Sequence, residues 1–447
     1  MNSKTNKRCF FLFSLLLATL SSHAIAFDPA YENAPIFYSE TKPNTDLSRL
    51  FDRIEKGEKL LTRENGKELL KEFLELMNVP SASQVLVFSK TRAQNRLISP
   101  PTPRAIYFSD DTYIGWCQGG QFETATLDPK LGIVFNLVDL IGRKKGESPT
   151  TIRDRSCLDC HAGSSNRNYP GLMVRSVFPS KSGQPFFHAG TYHTRQDSPI
   201  EHRWGGWYVT GTVGGHKHMG NSIAVETNEQ TREVELDPMT DKPVGNLGKF
   251  FNPKPYLEGG VSDVVSLMIL EHQVGTHNAL LQANLITQQT LHRQREMQKA
   301  FGESQNAPLT ETNQRIINNL ADKVLKEMLF AEELKLPDEG IEGSSTKFQK
   351  AFQKNKKVDS EGRSLKDFRL YERLFKYRCS YLIYSRAFTY LPQEFKDVFF
   401  KKLYSILIEP EKNPAYAYLG KSERKKIYHI LADTMEGLPK YWTKPAK

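Results

Sequence analysis

The chain of 447 residues holds only five cysteines. That is too few for a disulfide-dense scaffold, and a chain of this length builds a sizeable core without such staples. There is no second Cys-x-x-Cys or His-x-x-His pair to complete a four-ligand structural zinc site. No glycine-rich phosphate loop occurs, and Ser, Asp and Glu form no recognisable nucleophile or nucleotide motif. Beyond residue 26 no apolar run is long enough to span a bilayer, so no transmembrane helix is expected in the mature chain. No internal repeat is present. At 38% hydrophobic and 25% charged residues, wholesale disorder is excluded as well.

What is present begins at the N-terminus. Lys4, Lys7 and Arg8 form a positive segment, Cys9 to Leu20 a short apolar core, and Ala24-Ile25-Ala26 a small-residue cleavage pattern. Residues 1–26 therefore read as a secretory signal peptide, with the mature chain starting near Phe27 in the periplasm or another exported location. The formal charge is +10, and Lys4, Lys7 and Arg8 leave with the signal. An exported chain is not expected to meet nucleic acid. The mild basic excess fits an acidic redox partner, an anionic membrane surface or plain solubility.

Hydrophobic periodicity sets the rest. Leu47, Leu50, Phe51 and Ile54 follow helical spacing from Asp46, and Leu69, Leu70, Phe73, Leu74 and Met77 mark a second helix closed by Asn78 and Pro80. Segments 85–89, 105–108 and 131–140 read as strands. The stretch 150–260, rich in Gly, Pro, aromatics and His, reads as loops and short strands around a site. A long helix is predicted over 261–299, and a polar flexible linker or insertion over 333–364. The resulting division is 27–150 as an N-terminal α+β region, 151–300 as a core with a long helix, 301–364 as a helical and polar linker, and 365–447 as a helical C-terminal region. The fold class is α+β, with a loop-rich core between helical ends.

The chemistry sits at 157–161, which reads C-L-D-C-H. Two thiols separated by two residues reach the two vinyl groups on one edge of a porphyrin, and the next residue supplies the proximal imidazole. One covalent haem c on Cys157, Cys160 and His161 is the expectation. A dithiol redox motif is the alternative, although it does not require the trailing histidine. Cys117 and Cys379 form either one long-range disulfide or two separate buried thiols.

The opposite side of the iron has several candidates. A glycine-flanked loop offers His216, His218 and Met219, with Met219 ahead of His218 as a sixth ligand. The long helix offers Glu271, His272 and His277. The two histidines are five residues apart and point in directions about 140° apart. One of them suits a distal ligand, or an acid/base group oriented by Glu271. Met173, His188 and His193 lack helpful context. Trp204, Trp207 and Tyr208 suit either a haem wall or plain core. Arg175 and Arg203 suit haem propionates, against the default of solvated surface arginines.

Taken together, VFSKTR at 87–92, PRAIYF at 103–108, the C-L-D-C-H, RWGGWYVTGT at 203–212, HMGN at 218–221, LEH at 270–272 and CSYLIYS at 379–385 resemble a family of exported bacterial proteins described as cytochrome c domain-containing. The likeness spans most of the mature chain, although 333–364 is long for the family. It implies a single haem on Cys157, Cys160 and His161 and a fold unlike the small helical cytochromes c. It implies no established reaction, and it draws attention to His218, Met219, Glu271 and His272 without giving them roles. Two functions follow as expectations. One is an electron-transfer cytochrome with a second protein ligand. The other is a haem-dependent oxidoreductase of peroxidase or oxidase type with an open distal face, where His272 or His218 with Glu271 handles protons.

Overall fold

A computed structural model describes residues 29–63, 66–90, 94–140, 149–228, 230–240 and 242–442. The expected signal peptide, 1–26, lies outside the described residues. Helix α1 (Asp46–Glu55) starts at a reciprocal cap, in which Thr45 Oγ1 accepts from Ser48 N and Ser48 Oγ accepts from Thr45 N. Helix α2 (Gly66–Leu76) gives way at Asn78, which adopts a left-handed φ of 53°. Strands β1 (Val85–Val87), β2 (Arg104–Phe108), β3 (Thr112–Trp116), β4 (Phe122–Asp128), β5 (Gly132–Asp139) and β6 (Thr150–Ile152) run as an antiparallel series. With β9 (Trp207–Tyr208) beyond β1, they form a seven-stranded sheet in the order β6-β5-β4-β3-β2-β1-β9. The β4–β5 turn is fixed by Asp128, whose Oδ1 accepts from Lys130 N and Leu131 N, and by Gly132 at φ 77°.

The sheet is covered on both faces, and its period-2 alternation sorts side chains cleanly. Leu86, Phe88, Tyr107, Ile114, Trp116 and Phe122 face α1, α2 and the segment carrying Leu247, Phe251 and Tyr256. Val85, Val87, Phe108, Tyr113, Leu127 and Phe135 face the other way. That second face meets helix α4 (Val264–Ala300), which follows a cap on Asp263. At 37 residues it is about 55 Å long. After β6 come a short helix, α3 (Ser156–His161), and the paired strands β7 (Arg175–Val177) and β8 (Thr191–His193). Strand β10 (Gly211–Thr212) pairs with β13 (Glu342–Gly343), and β11 (Ser222–Asn228) forms a hairpin with β12 (Glu233–Pro238). The C-terminal side adds α5 (Glu311–Met328), α6 (Thr346–Gln353), a β14 (Phe368–Tyr371) and β15 (Arg373–Phe375) hairpin, α7 (Arg386–Thr389), α8 (Gln393–Ile408) and α9 (Lys421–Thr434).

The architecture is mixed helix and strand, as the sequence predicts. Two expectations need correction. The segment 333–364, expected as a flexible linker or surface insertion, is anchored to the core rather than flexible. Phe348 and Phe352, one turn apart on α6, are buried with Leu336, Ile341 and Leu365, and apolar burial of this kind holds a segment in place. Strands β3 and β4, in the centre of the sheet, went unpredicted. Cys117 and Cys379 are both free and buried, so the reading as two separate thiols holds and no disulfide joins them. Among the described residues no helix is long and apolar enough to cross a membrane.

Candidate haem-attachment site

Helix α3 follows edge strand β6 after a three-residue connection and carries both motif thiols and the histidine. Cys157 and Cys160 are free and half-buried. Burial, reinforced by Asp154 and Glu123, pushes the Cys157 thiol up to about 11. A redox dithiol needs a depressed thiol, so this environment argues against that alternative. Among the described residues no cluster of three or more His, Cys, Asp or Glu side chains is arranged to hold a bare metal ion.

His161 is held from behind. Its Nδ1 lies 2.9 Å from the carbonyl oxygen of Gly171. A carbonyl only accepts, so Nδ1 carries the proton and Nε2 keeps its lone pair. Among the described residues none hydrogen-bonds Nε2. Burial pushes the imidazole below the usual histidine range, the bond to Gly171 opposes this, and the charges of Arg104 and Arg175 add to the lowering. The ring is therefore neutral, the form that binds a metal. Its face packs on Phe135 of β5, with centroids 4.4 Å apart.

The Gly171 carbonyl is itself fixed. Asn278 of α4 clamps the neighbouring peptide, accepting from Leu172 N at 2.8 Å and donating to Leu172 O at 2.9 Å. It also donates to Asn166 Oδ1 at 3.2 Å, while Asn166 donates to His161 O at 2.9 Å. The loop turns through left-handed Arg167 and Asn168 to make this return. Farther along, Tyr169 reaches Gln289 of α4. The recess beside α3 has a volume of ≈ 110 Å³ and is lined by Tyr38, Phe135, Arg153, Arg155 and Leu158 among others. That is small beside the roughly 300–1,000 Å³ of enclosing ligand pockets. The donor set fits a covalently tethered haem, and tethering is the device that retains a cofactor where the wall is open. Arg175 also fits. Its guanidinium has no hydrogen bond or ion pair among the described residues, and its Nε is buried without a partner.

The other candidates are committed elsewhere. Both nitrogens of His272 are bonded, Nδ1 with Gln196 Oε1 at 2.7 Å and Nε2 with Ser380 Oγ at 2.8 Å, and the ring stacks on Phe330. Burial pushes it down to about 3. Glu271 does not orient a histidine, contrary to expectation. Its Oε2 takes Arg203 Nη1 at 2.8 Å in a fully buried ion pair, and its Oε1 faces Thr194 and Trp204. Arg203 is therefore neither a surface arginine nor free for a propionate. Met219 is buried, and its sulfur accepts from Ser176 Oγ at 3.4 Å. His218 accepts from Gly220 N at 3.0 Å and packs edge-on against Trp204. His161 makes no ring contact or hydrogen bond with His218 or His272. His277 pairs with Tyr113. His193 is exposed opposite Arg175 in the β7–β8 pair. Trp204, Trp207 and Tyr208 are core side chains.

Gly171, Asn278 and Phe135 carry no signal in the motif itself. The nearest hint is the Asn-rich turn at 166–168 ahead of Pro170-Gly171, which foretells a chain reversal but not its acceptor. No protein family, curated protein or solved structure matches the chain.

Proposed function

We propose that the chain is an exported monohaem c-type cytochrome acting in electron transfer, with haem c tethered through Cys157 and Cys160 and its iron held by His161. One observation carries the reading. The histidine of the C-L-D-C-H donates Nδ1–H to a clamped backbone carbonyl and leaves Nε2 without a hydrogen bond among the described residues, the arrangement of a metal-ligating imidazole whose other nitrogen is fixed. When bound, the haem supplies a one-electron iron couple. The chain's own contribution is positional. Gly171 O fixes the tautomer, Asn278 fixes Gly171, and Phe135 excludes water from one face of the ring. Arg175 offers a guanidinium to a propionate carboxylate. A basic excess suits an acidic redox partner.

The test is attachment. Haem absorbance should stay with the denatured chain and vanish in a Cys157→Ser, Cys160→Ser double variant. A double variant that keeps haem through denaturation overturns the proposal.

A second reading, a haem oxidoreductase with an open distal face, is favoured by the engagement of Met219, His218 and His272 in other bonds. Spectra with carbon monoxide and peroxide separate the two. A low-spin iron indifferent to both supports electron transfer, whereas a high-spin ferric iron that binds them supports the enzyme.

A further inference from the structure

Tyr113 and His277 form a pair that neither reading uses. Tyr113 lies on β3 and His277 on α4, and both are buried. Tyr113 Oη is 2.7 Å from His277 Nδ1, with the rings edge to face at 5.8 Å. Gln273 Nε2 donates to the same phenol oxygen at 3.1 Å, and Gln273 Oε1 is in turn held by Tyr381 Oη at 2.6 Å. With an amide donating to the oxygen, the phenolic proton points at the imidazole. The ring proton of His277 then sits on Nε2, which is turned toward the Asp110 backbone without a hydrogen bond of ordinary geometry. Burial holds the imidazole neutral, at about 4, so Nδ1 is a vacant base.

The position matters as much as the pairing. Tyr113 lies opposite Ala125 on β4, and Ala125 lies opposite Phe135 on β5. All three share the face toward α4. Two strand spacings separate the backbone of Tyr113 from that of Phe135, roughly 10 Å. Phe135 in turn packs on His161. Single-electron tunnelling crosses such a span through packed protein. A phenol gives up an electron readily only when its proton leaves in the same event, and a buried hydroxyl without a base cannot do so. Tyr113 has a base in contact and no access to a second phenol in solution that would quench a radical.

We propose that Tyr113 is a redox-active tyrosine that supplies one electron to the haem site while its phenolic proton moves to His277 Nδ1. The acceptor rests on the second reading above, a haem whose open distal face reacts with peroxide. The balance is simple. The Tyr113 O–H bond breaks, an N–H bond forms on His277, and a neutral phenoxyl radical remains beside an imidazolium. The oxidant is a peroxide, which takes two electrons and two solvent protons to become water. Tyr113 provides one electron, and a haem held by Cys157, Cys160 and His161 would supply the other.

The experiment is electron paramagnetic resonance on the purified full-length protein under two oxidants. One is hydrogen peroxide, which acts through the haem. The other is flash-oxidised ruthenium tris-bipyridine, which does not need it. The expected result is a tyrosyl signal under both, lost in Tyr113→Phe and strongly diminished in His277→Gln, with each variant checked for native circular dichroism. A signal that persists at wild-type intensity in Tyr113→Phe overturns the assignment, as does no wild-type signal under flash. A haem-loaded protein that gives the flash signal but no peroxide signal overturns the coupling to the haem. A chain without haem fails the cytochrome reading instead, and the flash arm still decides Tyr113.

Discussion

Replacing His272 by Gln should change not only stability but its dependence on pH. The imidazole is buried with both nitrogens bonded, and it titrates near 3 against an ordinary 6.5. The unfolded chain therefore takes up this proton about three units before the folded one does. Stability from the neutral ring is fully present above 6.5 and drains as pH falls toward the folded value. Each unit below 6.5 removes about 1.4 kcal/mol, so a descent from pH 7 to 5.5 removes about 1.2 kcal/mol. Buried carboxyls such as Glu333 titrate in the opposite sense, so the wild-type curve alone mixes signs. The difference between wild type and His272→Gln isolates the histidine. At neutral pH the variant should be less stable by about 1–3 kcal/mol, because Gln196 and Ser380 lose ideal partners. That gap should shrink by about 1.2 kcal/mol at pH 5.5. Urea titrations of both proteins at the two pH values provide the measurement. A gap independent of pH would refute the burial argument, because it would mean that the ring gains its proton equally in both states. Such a result would return His272 to the candidates for an exposed, functional histidine.

Other consequences are as direct. Glu271→Gln leaves the Arg203 charge buried and should cost about 3–5 kcal/mol, while an apolar replacement of both partners costs less; equal costs in urea unfolding would contradict an uncompensated charge. Glu333, pushed up to about 7 by burial, should contribute stability that is complete below its ordinary 4.5 and lost as pH rises through 7, so Glu333→Gln should flatten thermal stability across that window. A Cβ on Gly171 would meet Asn278 Oδ1 at 2.8 Å and Asn166 at 3.1 Å. Gly171→Ala should accordingly destabilise the chain by about 1–3 kcal/mol and, in the haem-loaded protein, shift the reduction potential; an unchanged potential would show that the carbonyl does not tune His161.

Legibility divided along physical lines. Helices α1, α2 and α4 announced themselves because long amphipathic or apolar runs repeat with a helical period. The segment 333–364 was misread because Gly340, Gly343, Ser344 and Ser345 look like a linker, although Phe348 and Phe352 at helical spacing signal burial. Strands β3 and β4 are hard to read because Gly115 interrupts the first and buried threonines, Thr112, Thr124 and Thr126, stand at positions where apolar residues would mark a strand. At the site, the thiols and His161 stand out in the sequence as a C-x-x-C-H spacing, and the structure places all three on one short helix. Gly171 was not, since a backbone carbonyl has no side-chain signature. Glu271 and His272 stand out in the sequence as titratable groups on the long helix, and both are buried. A buried polar residue in a satisfied network has the same sequence appearance as a reactive one, and only Arg203, Gln196 and Ser380 distinguish them.

The place of α3 bears on the order of events during biogenesis. The helix is six residues long, its first N–H is taken by Asp154 Oδ1, and both its thiols are half-exposed, while the core beside it is filled by other side chains. In a small cytochrome the porphyrin is the core, so attachment must precede compaction. Here the sheet and α4 assemble around their own aliphatic and aromatic contacts. On the cytochrome reading, maturation therefore need not outrun folding, and a compact apoprotein remains a competent substrate for the attachment machinery.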